Sequence, residues 1–120
     1  MMTSAFPRRG EIYLVKLPGK PSNHKSHPAL IVSMDVRNRL ANDVIVVPLT
    51  TNLKVAPTHV KIPSGEGGLN RASMAKCEQI ATLDKILLLR GPFAGTISSE
   101  KMKEVEKAIQ RAVGVFRGLE

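Results

Sequence analysis

Tryptophan is absent from this chain, and one tyrosine and three phenylalanines bring aromatic residues to only 3% of 120. Base-stacking platforms of the kind many single-strand binders carry are therefore thin. Cysteine is nearly absent as well. Cys77 alone permits neither an internal disulfide nor a cysteine-based zinc site, as expected of a reducing compartment. It sits in the alternating run SMAKCEQI and reads as a packed strand residue rather than a reactive thiol. Long hydrophobic runs are also missing. The longest aliphatic stretches, such as Val44 to Val47 and Ile86 to Leu89, span four residues, whereas a membrane-spanning helix needs roughly 20. The first residues, MMTSAFPRRG, hold no apolar run of signal-peptide length and place their arginines after the few apolar residues. The expectation is a cytoplasmic protein without a membrane partner.

Acidic residues are the scarcer charge, 10 Asp+Glu against 18 Lys+Arg, which leaves a net charge of +8 and a pI near 10.1. The excess lies in the body of the chain. Residues 1–97 carry 13 basic and 6 acidic groups, and residues 98–120 carry 5 and 4. So basic a domain favours a polyanionic partner, because phosphate neutralisation supplies most sequence-independent nucleic-acid affinity. With 42% hydrophobic and 23% charged residues the composition is that of a folded globular protein, and the length fits one domain over residues 1–120.

The pattern along the chain is mostly that of short strands. Glu11 to Leu17 is rich in branched and aromatic residues and ends at Pro18-Gly19, which predicts a strand and a turn. A basic loop, PGKPSNHKSH, follows. Ala29 to Met34 and Val44 to Leu49 read as buried strands joined by DVRNRLAND, a loop or short helical turn. Thr58 to Ile62 alternates between two prolines as a short edge strand, SGEGG is a turn, and Ser73 to Ile80 alternates again. A helical turn at Leu83 to Leu87 and a last strand near Gly95 to Ile97 are expected next. Met102, Val105, Ile109, Ala112, Val113 and Phe116 then recur at spacings of three and four. That spacing builds a helix over about 99–116 with Ser98 as its N-cap. The sum is a mainly β fold over about 9–97, five or six strands closing into a small barrel, with the C-terminal helix packed on it.

Metal and nucleotide chemistry find no support in the motifs. His24, His27 and His59 show no ligand spacing with carboxylates, there is no HExxH, P-loop or dinucleotide fingerprint, and SGEGG lacks the Lys-Ser/Thr of a phosphate loop. Neither a metal nor a cofactor is expected. Cleavage of RNA through its own 2′-hydroxyl needs neither. It requires a base, a donor for the charge on the phosphorane, and an acid for the leaving oxygen. The polar residues that flank buried strands are the candidates: Lys25, Ser26 and His27, then Ser33, then Thr50, Thr51 and Asn52.

The blocks RRGEIYLVKL, HPALIVS, VIVVPLTTN, PTHVKI and LNRASMAKCEQIATLDK, in this order and spacing, resemble the MazF/PemK family of type II toxin endoribonucleases. The resemblance runs from about Arg9 to Val113. It implies a small SH3-like β-barrel with a terminal helix, the fold shared with the gyrase poison CcdB. It also implies a homodimer that cuts single-stranded RNA without metal and is neutralised by a cognate antitoxin lying in the RNA groove. Carried onto this chain, it gives Thr50 and Ser33 as hydrogen-bond donors to the scissile phosphate. Lys20, Lys25, Arg37, Thr51, Asn52, Arg71, Glu78 and Gln79 are then expected to bind RNA. The family usually has Arg immediately before the second-strand proline; here that residue is His27. Histidine can transfer a proton near neutral pH, with Lys25 or Arg37 supplying permanent charge. A barrel that binds RNA without cutting it, or a protein-binding toxin of the gyrase-poison kind, are the alternatives. His59, in the PTHV block, is expected to have a structural or interface role, and Arg8 and Arg9 either to touch phosphate or to remain a solvated pair.

Overall fold

A computed structural model describes residues 5–18 and 25–115. Its strands are β1 (Ile12–Val15), β2 (His27–Ile31), β3 (Asp43–Thr50), β4 (His59–Ile62), β5 (Ser73–Lys76), β6 (Ala81–Asp84) and β7 (Leu88–Arg90). Two helices complete it, α1 (Asp35–Leu40) and α2 (Ser99–Ala112). All pairings are antiparallel, in the order β4-β5-β3-β2-β1-β7, with β6 also on β3. The hydrogen-bonded path ends at β4 and β7 and does not close on itself. The sheet nevertheless curls, because Ile12 of β1 shares one buried cluster with Val60 and Ile62 of β4.

Alternation sends successive residues of each strand to opposite faces. One face carries Leu30, Val47 and Leu49 and is covered by Met102, Val105 and Ala108 of α2. The other carries Ala29, Ile31, Val44, Val46, Val15 and Leu83, a smaller cluster without a helix over it. α2 begins where its sequence signal places it. The Ser98 hydroxyl accepts from Lys101 N at 3.2 Å, while Ser98 N donates to Glu66 Oε1 at 2.7 Å and so fastens the helix start to the glycine turn. The helix ends at Ala112, short of the expected residue 116. Val113 is its exposed C-cap rather than part of the buried stripe, and Phe116 lies outside the described residues. Among the described residues no helix is long and apolar enough to cross a membrane.

Three expectations are corrected. The described residues form seven strands, not five or six, because the segment from Ser73 to Asp84 is two strands lying along the same edge of β3. Ala75 faces Leu49 but Ala81 faces Val46, so six residues on this side span three on the other. The surplus loops out as a 3-10 turn, Cys77–Gln79, which removes Cys77 from a strand while keeping it fully buried. Pro48, which has no N–H to give, stands on β3 opposite this break. The second correction concerns Leu83 to Leu87: only Lys85–Leu87 forms a 3-10 turn, and the aliphatic run continues as the edge strand β7. Third, Gly95 to Ile97 is not a strand, although Ile97 N does bond Gly10 O at 2.9 Å. The SGEGG segment is the turn expected of it, with Gly65, Gly67 and Gly68 all at positive φ.

Candidate functional site

Pro28 biases the residue before it toward extended backbone, and His27 accordingly opens β2. β2 is registered on β3 at Ala29↔Pro48, Leu30↔Val47 and Ile31↔Val46. The paired register ends at Ala29 and Pro48, so His27 at the start of β2 and Thr50 at the end of β3 stand at the same end of this strand pair, each on the face that Ala29 and Pro48 share. Beside Pro48 on that face lies a groove of ≈ 340 Å³ lined by Leu17, Pro18, Pro48, Gln79, Ala81, Thr82 and Leu83. The looped-out turn at Cys77–Gln79 supplies one wall, in keeping with the tendency of strand irregularities to sit beside active sites.

Among the described residues His27 Nε2 is a buried side-chain atom with no hydrogen-bond partner. An orphaned ring nitrogen costs free energy unless something binds it. Thr50 is poised differently. Its Oγ1 accepts from Asn52 N at 3.2 Å, which leaves the hydroxyl proton free to be donated elsewhere. Asn52 Oδ1 accepts in turn from Lys54 N at 3.2 Å, so Thr51 and Asn52 are exposed on a turn with two side-chain bonds. Lys25 is exposed two residues before His27. Lys20 and His24 lie outside the described residues.

Ser33 and Arg37 are not brought to this place. Ser33 is six residues from His27 along extended chain, roughly 20 Å away, and is buried in a hydrogen-bond set of its own. Its hydroxyl donates to Asn38 Oδ1 and accepts from Ile45 N at 2.9 Å, while Asn38 Nδ2 donates to the Ser33 carbonyl at 2.9 Å. The set anchors α1, so donation to the phosphate beside Thr50 is replaced by a structural task. Arg37 pairs with Asp43 at 2.7 Å on the same remote end, so it does not supply charge beside His27. Arg9 is likewise engaged, with the Glu106 carboxylate, with the Val32 carbonyl at 2.7 Å and, through its N–H, with Asp35 at 2.8 Å. Arg8 stacks 4.4 Å from the Phe6 ring. Arg71 is exposed, just ahead of β5.

Glu78 and Gln79 fall on the looped-out turn, yet they do different things. Gln79 lines the groove. Glu78 is clamped: Thr58 Oγ1 donates to its Oε1 at 2.8 Å, and His59 Nε2 lies 3.2 Å from its Oε2. Partial desolvation pushes this carboxyl up. Bonds from Thr58, its own backbone N–H and His59, together with the His59 charge, outweigh that and hold it below its ordinary value. His59 Nδ1 meets the Lys54 carbonyl at 2.9 Å, the structural role expected of this histidine. Burial, with the Glu78 charge beside it, raises the Cys77 thiol to about 12. Among the described residues no three His, Cys, Asp or Glu side chains gather to hold a metal ion. Sequence reasoning missed the apolar groove walls Leu17, Pro18 and Pro48, whose types signal only turns and strand ends. It also missed Asn38, a polar residue on a short helix that nothing local marks as buried.

Comparison with known proteins gives the chain relatives in sequence and fold. The family model described as PemK-like, MazF-like toxin of type II toxin-antitoxin system matches residues 8–113. An endoribonuclease MazF of Staphylococcus saprophyticus is 35% identical over 112 residues, which cover 90% of this chain and 92% of that protein. Among solved structures, a mycobacterial endoribonuclease in complex with its cognate antitoxin superposes with a TM-score of 0.75 at 31% identity, covering 91% of this chain and 96% of the other. MazF of Deinococcus radiodurans superposes at 0.76 over 92% of this chain and 99% of its own, at 18% identity, and so shares the fold.

Proposed function

The chain belongs to the PemK-like, MazF-like toxins of type II toxin–antitoxin systems, and from that premise we propose that it is an endoribonuclease cutting single-stranded RNA, messenger RNA included, without a metal ion. It acts as a homodimer in the cytoplasm, inhibits growth, and is neutralised by a cognate antitoxin protein that competes with RNA. The curled sheet, with β3 gripped from both sides, is read as an opened SH3-like barrel.

The observation that supports this chemistry is the buried Nε2 of His27, without a hydrogen-bond partner among the described residues, at the same end of the β2–β3 pair as Thr50, whose oxygen is held by Asn52 N while its proton is free. In the proposed step the RNA 2′-oxygen attacks the adjacent phosphorus and the bond to the 5′-oxygen breaks. The products are a 2′,3′-cyclic phosphate and a free 5′-hydroxyl. His27 takes the 2′-hydroxyl proton, and the leaving 5′-oxygen takes its proton from solvent. Thr50 donates to a non-bridging phosphate oxygen, where charge builds up in the transition state. Lys25 adds positive charge at the mouth of the groove, and Gln79, Thr51, Asn52 and Arg71 line the path of the strand.

The test is cleavage of a long single-stranded RNA in the presence of chelator, with end-group analysis of the fragments. Wild type should give fragments ending in cyclic phosphate. His27→Ala and Thr50→Ala should each lose on the order of 10²-fold or more in rate. Undiminished cleavage by His27→Ala would remove it as the proton carrier. Intact RNA over folded wild-type protein would favour the RNA-binding barrel instead.

A further inference from the structure

The His59 side chain is only 11% exposed, and both of its ring nitrogens meet groups that act as acceptors. The Lys54 carbonyl lies 2.9 Å from Nδ1 and Glu78 Oε2 lies 3.2 Å from Nε2. A neutral imidazole has one N–H and can serve one of them; the imidazolium has two and serves both. The second oxygen of Glu78 already takes the Thr58 hydroxyl. From His59 the contacts lead to Thr50 through the covalent frames of Lys54 and Asn52. The Lys54 peptide that accepts from the ring belongs to the residue whose N–H donates to Asn52 Oδ1, and Asn52 N donates to Thr50 Oγ1. At the other end of these contacts, Glu78 immediately precedes Gln79 on the groove wall.

We propose that His59 is a positioning residue for RNA cleavage: its doubly protonated ring ties Glu78 to the Lys54 carbonyl and so anchors the turn whose own hydrogen bonds hold Thr50, fixing the phosphate-facing hydroxyl relative to the Gln79 wall. The proposal rests on the ribonuclease reading. His59 touches no reacting atom and acts only through Lys54 and Asn52. Loss of one ring proton leaves a lone pair facing either the Lys54 carbonyl or the Glu78 carboxylate, and one end of the tie lets go. Charged groups of both signs come from the elements packed around the ring. Glu78 on the looped-out turn is the acidic one. The basic ones are Lys76, directly across the β4–β5 ladder, Arg111 of α2, whose Nη1 bonds the Pro57 carbonyl at 3.3 Å, Lys54 on the preceding loop and Lys61 on β4 itself.

The experiment follows the backbone amides of Asn52 and Lys54 and the His59 ring by NMR in the free protein, from about pH 5 to 9, in wild type and Glu78→Gln. In wild type the two amides should shift with the same midpoint as the His59 ring. In Glu78→Gln the new amide NH₂ can donate to a neutral Nε2 while Nδ1–H keeps the Lys54 carbonyl. Both bonds then survive without the second proton, and the amide shifts should lose their pH dependence. Single-turnover cleavage by His59→Ala should fall about tenfold in rate at saturating RNA, as loss of one aligned hydrogen bond implies. Amides that ignore the ring titration in wild type, or that still follow it in Glu78→Gln, would overturn the proposal. If the amides track the ring but wild type never cuts RNA, the ribonuclease reading fails and the positioning role fails with it.

Discussion

His27, Ser33 and Thr50 carry the same local signal, a polar side chain at the end of a buried strand, yet only two of them stand at the same end of the β2–β3 pair. In an antiparallel pair the start of one strand lies beside the end of the next, so the beginning of β2 faces the end of β3, and Ser33 is left at the far end with Asn38. Residue type was legible in the sequence; which ends come together is a property of pairing. Cys77 makes a separate prediction at this scale. Its thiol is raised from 9.0 to about 12 by burial and then by Glu78, and the thiolate is the reactive form. Alkylation at about pH 8 should therefore run roughly a thousandfold slower in the native protein than in denaturant, as three pKa units imply. A native rate equal to the denatured one would contradict the burial. Because the folded pKa is the higher one, any stability this thiol contributes is complete below its unfolded pKa and is lost as pH rises toward about 12.

Elements were legible where period alone determines them. The three-and-four spacing after Ser98 announces α2, and its cap is the residue named from sequence. Ser98→Ala removes the bond to Lys101 N and should cost about 1 kcal/mol in chemical denaturation. The β5–β6 edge was not legible, because nothing inside SMAKCEQIATLD marks the three surplus residues. They are defined only against β3, and so is the groove wall they build. The turn before α2 is equally exacting. Gly68 has φ +87, and a Cβ there would sit 2.7 Å from Ala94 N. Gly68→Ala should therefore destabilise by about 2 kcal/mol or more, read as a lower denaturation midpoint at unchanged slope.

Across the whole molecule the net charge of +8 is not uniformly available. Arg9 and Arg37 are taken up by Glu106 and Asp43, whereas Lys25 and Arg71 are exposed. Affinity for a 2′-O-methyl RNA, which cannot be cut, should fall steeply with salt, with a log–log slope of about −0.7 per phosphate neutralised. Lys25→Ala should flatten that slope by about one such step, and Arg37→Ala should leave it unchanged. Equal effects of the two substitutions would show that the division between structural and available cations is wrong.

The same ladder that frames the groove also decides the order in which the molecule gives up its amide protons. β3 is bonded to β2 on one side and to β5 and β6 on the other, so no partial opening releases it without breaking two interfaces. β4 and β7 each hold on by a single flank. In deuterium exchange the β4 and β7 amides should go first, and those of Val44 to Val47 should persist until the entire domain unfolds, reporting its global stability.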